Sequence, residues 1–149
     1  FTAAPAGPPT APDAEEVRRA EQVGALLPSL SGAGIVLVAD PVRRARLEAV
    51  LAVTGMEPLP AGFLGAALDH LQLRRIDLIV CGFDLAEADP VRTLVALRRA
   101  SYTRPILGMP GFVPLDERFD RAIAPGAILR GQTTNAQLMD ALRTLLPAA

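Results

Sequence analysis

Asp77-Leu78-Ile79-Val80-Cys81-Gly82 carries four apolar residues in a row between an acid and a glycine. A short uninterrupted apolar run of this kind reads as a strand covered on both faces, as in a parallel sheet. With Ile76 the strand is expected over 76–81. Upstream, Ile35-Val36-Leu37-Val38-Ala39 reads the same way, after a glycine-rich turn at Ser31-Gly32-Ala33-Gly34. Between these two strands, Val42, Ala45, Ala49, Val50 and Val53 recur at helical spacing until Gly55, and a weaker strand follows around Glu57-Pro58-Leu59-Pro60. Two prolines remove two ladder donors there, which assigns that strand to a sheet edge. Leu64, Ala67, Leu68 and Leu71 mark the next helix.

Downstream of Gly82 the alternation continues. Val91, Leu94 and Val95 predict a helix, Pro105–Met109 a strand, and Leu115, Phe119, Ala122 and Ile123 a short helix. Ala127–Arg130 predicts the last strand, and Leu138, Ala141, Leu142 and Leu145 the last helix, which Thr134 and Gln137 begin with a capping box. Five strands alternating with five helices imply an α/β fold, a flavodoxin-like (βα)5 doubly wound parallel sheet of strand order 2-1-3-4-5. In such sheets ligands bind at the carboxyl ends of the first and third strands.

Composition narrows the field. The chain has 149 residues, half of them hydrophobic, which suits one domain with one core. Residues 1–12 are rich in Pro and Ala and read as a linker. A helix is expected at about 13–27, capped by Asp13 with Glu15 and Glu16 in its first turn, so that 1–32 precedes a domain at 33–149. A net charge of −1 argues against nucleic acid as a partner. No apolar run is long enough for a membrane span, and a lone Cys81 suits a reducing compartment, so the cytoplasm is the expected location. All fifteen basic residues are arginine, which excludes any mechanism that needs a lysine. The Ser31–Gly34 turn precedes its strand and cannot cradle a pyrophosphate. His70 has no metal-spaced companion and is expected at the surface.

Over about residues 33–146 the chain resembles the receiver domains of response regulators. GIVLVADP at 34–41 is similar to that family's first strand with its acidic pair, where Ala39 replaces the first acid and Asp40 keeps the second. DLIVCGFDLAEADP at 77–90 keeps the spacing of the third strand and its loop, but puts Gly82 at the phosphoacceptor position, Ala86 at the loop proline and Asp89-Pro90 at the Asp-Gly. PILGMPG at 105–111 puts Pro110 in place of the phosphoryl-sensing Thr or Ser. GAILRGQ at 126–132 puts Gly131 in place of the lysine and Gln132 in place of the cis proline after it. The resemblance therefore implies a degenerate member, a pseudo-receiver, such as one in a hybrid histidine kinase. Receiver chemistry needs a carboxylate nucleophile, a divalent cation held by acids and a cation on the developing charge. Gly82 supplies no nucleophile. A residual acidic pocket of Asp40 and Asp84 is the remaining candidate, either for a displaced phosphoacceptor or for weak magnesium binding; a loop or helix-capping role is the expected one for Asp84, and no metal or catalytic residue is assigned.

What remains for function is the surface. The resemblance implies communication through the fourth helix, fifth strand and fifth helix, a face that would carry Glu117, Arg118, Arg121, Arg130, Gln132, Gln137 and Asp140. The leading expectation is a non-enzymatic signalling module that docks on neighbouring kinase or receiver domains of the same protein. The alternative is a ligand sensor whose docking is governed by a cyclic dinucleotide such as cyclic di-GMP. That ligand would need arginines for phosphates and guanine edges and a flat stacking partner. Arg121, Arg130 and Gln137 lie on or near one expected face. Tyr102 and Arg104 flank the start of the fourth strand, with Tyr102 as the candidate stacking partner, and Arg118 joins them in the candidate ligand or partner surface.

Overall fold

The computed structural model describes residues 30–111, 115 and 117–146. The expected linker at 1–12 and helix at 13–27 lie outside the described residues. The elements run β1 (Ala33–Leu37), α1 (Pro41–Thr54), β2 (Glu57–Ala61), α2 (Leu64–Leu73), β3 (Leu78–Cys81), α3 (Pro90–Arg99), β4 (Ile106–Gly111), α4 (Glu117–Ala122), β5 (Gly126–Arg130) and α5 (Asn135–Leu145). The strands form one parallel sheet in the order β2-β1-β3-β4-β5. This is the doubly wound arrangement that the alternating pattern predicts.

Because side chains alternate across a strand, each apolar strand feeds two cores. Ile35 and Leu37 of β1 join Ile79 and Cys81 of β3 on one face, where Ala67 of α2, Leu94 and Leu97 of α3 and Phe119 of α4 cover them. Val36, Val38, Leu78 and Val80 point to the other face, against Leu47 and Leu51 of α1 and Leu138 and Leu142 of α5. Hence the run 78–81 has no polar member: both of its faces are inside.

The helix ends follow local chemistry. Asp40 caps α1 by accepting from the Arg43 amide (3.1 Å), with Pro41 at the first turn, and Gly55 closes it at φ 100°, a conformation that a side chain would strain. Asp89 caps α3 in the same way. Thr134 and Gln137 form the full capping box of α5, as expected. The expected apolar face of α1 is wrong in part. Val42 and Val53 are 77% and 70% exposed, and the buried residues are Leu47, Val50 and Leu51. In α3 the inward positions are Thr93, Leu94 and Leu97, while Val95 faces solvent.

β2 does lie at the sheet edge. Glu57 donates its amide to the Gly32 carbonyl (2.9 Å), so the odd-numbered residues of β2 bond inward and Pro58 and Pro60 have their missing donors on the open side. His70 of α2 bonds the Pro60 carbonyl through Nε2 at 2.9 Å.

Candidate functional site

The carboxyl ends of β1, β3, β4 and β5 meet at one end of the sheet. At the end of β3, Gly82 is buried and its amide bonds the Leu37 carbonyl of β1 (3.0 Å). A Cβ there would lie 3.0 Å from Arg43 Nη1, 3.2 Å from Asp84 Oδ1 and 3.2 Å from Val38 Cγ2. The space that a phosphoacceptor side chain would need is thus bounded by a cation and an anion that reach in from either side. Phe83 follows at φ 55°, an uncommon conformation for a bulky residue, and its ring packs edge-on against Phe119 with centroids 4.7 Å apart. Burial pushes the Cys81 thiol beneath this site up to about 12.

Asp84 is a loop acid with a definite job. Its Oδ1 accepts from the Ala39 amide (2.9 Å) and its Oδ2 from the Asp40 amide (3.1 Å), which fastens the β3–α3 loop to the β1–α1 loop. Asp40 lies beside it, but its own carboxylate caps α1. The two acids come together as expected, yet each is turned to backbone amides. Magnesium, which the receiver fold implies here, is not matched by these residues: one carboxylate is a helix cap, the other a loop clasp, and among the described residues no cluster of three metal-ligating side chains exists.

The group that sequence reading missed is Arg43. From the first turn of α1 its guanidinium crosses the strand ends, places Nη1 beside Gly82 and bonds the Met109 carbonyl of β4 through Nη2. Arg44 bonds the Val38 carbonyl (2.7 Å) and the Ala39 carbonyl (3.2 Å), and Arg46 bonds the Thr133 carbonyl (2.6 Å) and Asn135 Oδ1 (3.0 Å). A signal was present. Three arginines sit in the first half of α1 with no acid in its first turn, where the helix dipole disfavours cations. Their positions there make sense through the carbonyls they reach.

On β4, Pro110 is buried, and pairing with β5 slips between Gly108 and Gly111, as a residue without an N–H permits. Gly111 and Gly131 adopt φ 63° and 69° and are joined by a 2.8 Å hydrogen bond from the Gly131 amide. Gln132 is exposed after them. A cavity of about 500 Å³ opens here, lined by Arg43, Arg46, Met109, Gly111 and residues 131–134.

The outer-face candidates do not form one site. Tyr102 is buried, with its hydroxyl donating to the Pro105 carbonyl (2.7 Å) and the Arg98 guanidinium 5.6 Å from its ring centre, so it offers no free stacking face. Burial raises its phenol above the usual tyrosine range. Arg104 pairs with Asp77 (3.4 Å) beside it, at the amino ends of the strands. Arg118 borders a groove between α3 and α4 with Asp89 and Arg92, Arg121 is exposed at the end of α4, and Arg130 and Gln137 line a separate groove between β5 and α5 with Asp140. Gln137 also closes the α5 capping box. The side chain of Glu117 lies outside the described residues.

With the geometry in hand, the fold has a class: it is that of the CheY-like receiver domains of response regulators. Among solved structures, a receiver domain from Methylobacillus flagellatus superposes at a TM-score of 0.67 with 18% identity, over 78% of this chain and 99% of that one. A CheY-type chemotaxis protein of Vibrio cholerae gives 0.66 and 18% over 79% and 100% of the two chains. The receiver domain of a sensor histidine kinase of Pseudomonas aeruginosa, solved with magnesium coordinated in its active-site cleft, gives 0.66 and 17% over 78% and 98%. No family model matches the sequence, and no curated protein matches it. Among the described residues no helix is long and apolar enough to cross a membrane.

Proposed function

We propose that this chain is a receiver-fold signalling module of a two-component system that has lost phosphorylation and acts by docking on a neighbouring domain, such as the kinase or receiver domains of a hybrid histidine kinase. The observation that carries the reading is the end of β3: Gly82 has no nucleophile, and Arg43 and Asp84 border the place where one would stand. The absence of lysine from the chain removes the usual counter-charge as well. Asp84 is a poor substitute, since both its oxygens accept from amides that hold two loops together, and in-line attack tolerates little misplacement. With the chemistry gone, what the fold retains is a set of surfaces held at fixed positions by the sheet.

The test has two arms. Incubation with acetyl phosphate and magnesium should leave the intact mass unchanged; a covalent phosphoryl adduct, mapped to Asp40 or Asp84, would sink the loss of phosphorylation. Mixing the isotope-labelled chain with the kinase or receiver domains encoded in the same polypeptide should shift a contiguous set of surface amides, and an unchanged spectrum would remove the docking half. A cyclic dinucleotide draws no support from the geometry, because Tyr102 is internal and its candidate arginines lie on separate grooves and edges.

A further inference from the structure

The cavity at the ends of β4 and β5 is lined by arginines that no acid among the described residues pairs. Arg43 and Arg46 line it and no acid does. The grooves beside α3 and beside α5 each contain an aspartate, Asp89 and Asp140, and in the groove at the amino end of the sheet, which no acid lines, Arg74, Arg75 and Arg104 are ion-paired with Glu57 and Asp77. We propose that this cavity binds the phosphate group of a small molecule, non-covalently, through Arg43 and Arg46 above the turn from Gly131 to Thr134.

Among the described residues neither Arg43 nor Arg46 forms an ion pair; their bonds go to the carbonyls of Met109 and Thr133 and to Asn135 Oδ1. A guanidinium has five N–H donors, so each keeps donors free after these contacts. Arg43 is half-buried, and a partly desolvated cation with only neutral acceptors is relieved by an anion that reaches it. Asp40 and Asp84, the nearby acids, are bound to amides of the β1–α1 loop and of α1, and neither lines the cavity. The remaining wall adds donors: the Gln132 amide, the hydroxyls of Thr133 and Thr134, and the amino end of α5, whose dipole has the same sign as the arginines. Bidentate guanidinium contacts favour phosphate geometry. A volume of about 500 Å³ exceeds the need of a bare ion and lies in the range for small organic ligands.

This inference shares with the docking reading only the premise that Gly82 forms no phosphoaspartate, and the mass measurement tests that premise separately. The binding test is a titration of labelled full chain with inorganic phosphate and, in parallel, glycerol 3-phosphate, at constant ionic strength with chloride as the blank. Expected are saturable shifts of the amides of residues 131–134 and of the Arg43 and Arg46 Nε–H signals. Arg46→Gln should weaken binding about tenfold, the scale of one charge-assisted contact, while Arg46→Lys, which keeps the charge and loses the bidentate geometry, should fall between the two. Tighter binding of glycerol 3-phosphate makes an organic phosphate ester the ligand; equal or tighter binding of phosphate makes it the free ion. Shifts that fail to saturate, that spread equally to Arg74, Arg75 and Arg104, or that persist unchanged in Arg46→Gln overturn the proposal. So does acetate binding as well as phosphate, which would indicate a partner's carboxylate.

Discussion

The two ends of the sheet handle arginine in opposite ways. At the amino end, Arg74 grips Glu57 at 2.8 Å and 3.0 Å, and Arg75 and Arg104 share Asp77. Arg98 donates to the carbonyls of Tyr102, Arg104, Ile123 and Pro125, all within 3.0 Å. At the carboxyl end, Arg43, Arg44 and Arg46 also reach carbonyls, but Arg43 and Arg46 have no acid of their own among the described residues. At the amino end three arginines are matched by acids and Arg98 by four carbonyls, although its buried Nε has no hydrogen-bond partner; at the carboxyl end Arg43 and Arg46 are matched by neutral acceptors alone. The lesson is that a buried or half-buried cation is explained by its partners, and a cation short of partners marks where to look for a ligand.

The comparison breaks first at Arg98. Replacing it with methionine leaves four carbonyls to find other donors, two of them in part-buried surroundings and two open to water. Arg98→Met is expected to cost about 2–3 kcal/mol in urea unfolding, seen as a lower midpoint at unchanged slope. A loss below about 1 kcal/mol would mean the amino end is not the consolidated one.

At the other end, Gly82→Asp crowds Arg43, Asp84 and Val38 yet offers Arg43 an anion. Its expected cost is about 2 kcal/mol, because of the close atoms at 3.0–3.2 Å only Arg43 Nη1 ends a flexible side chain, while Asp84 is held by two amides and Val38 is buried in the core. The informative outcomes are that acetyl phosphate still adds no mass and that phosphate binding falls as the new carboxylate takes up Arg43. Recovery of phosphorylation would show that the loss rests on one residue alone.

A smaller effect is set by pH. Burial raises the Cys81 thiol from 9.0 to about 12, so the folded state keeps its proton where the unfolded chain releases it. Stability is then full below about pH 9 and declines as pH rises towards 12, by about 1 kcal/mol at pH 10. Cys81→Ala should flatten that alkaline slope, and an equal slope in both proteins would assign it to other groups. Smallest of all is Glu57→Gln. Arg74 holds the Glu57 carboxyl below its ordinary range, but both groups are fully exposed, so the unfolding midpoint should not move measurably.

Much of the fold was legible because strands buried on both faces leave little choice: residues 35–38, 78–81 and 106–109 admit no polar side chain. Capping acids, the capping box at Thr134 and the proline-bearing edge were legible for the same reason, being local chemistry. The inward face of α1 was not, because Ala45, Ala49, Val42 and Val53 make a second apolar stripe and only packing chooses Leu47 and Leu51. At the strand ends, the glycine and the two acids could be placed by spacing. The reach of Arg43 across three strands could not, since it depends on side-chain direction from a helix whose dipole argues against it. Tyr102 was misplaced because a tyrosine in a loop looks available until its hydroxyl finds a carbonyl.

The prolines of β2 carry a consequence for how this molecule meets others. A parallel sheet can in principle grow by adding a strand to either margin, but here the β2 margin has no N–H at 58 or 60, and His70 already occupies the Pro60 carbonyl. Extension on that side lacks two donors and finds one acceptor already engaged. Among the described residues, addition of a strand is therefore disfavoured at the β2 margin relative to the β5 margin, whose residues 126–130 include no proline.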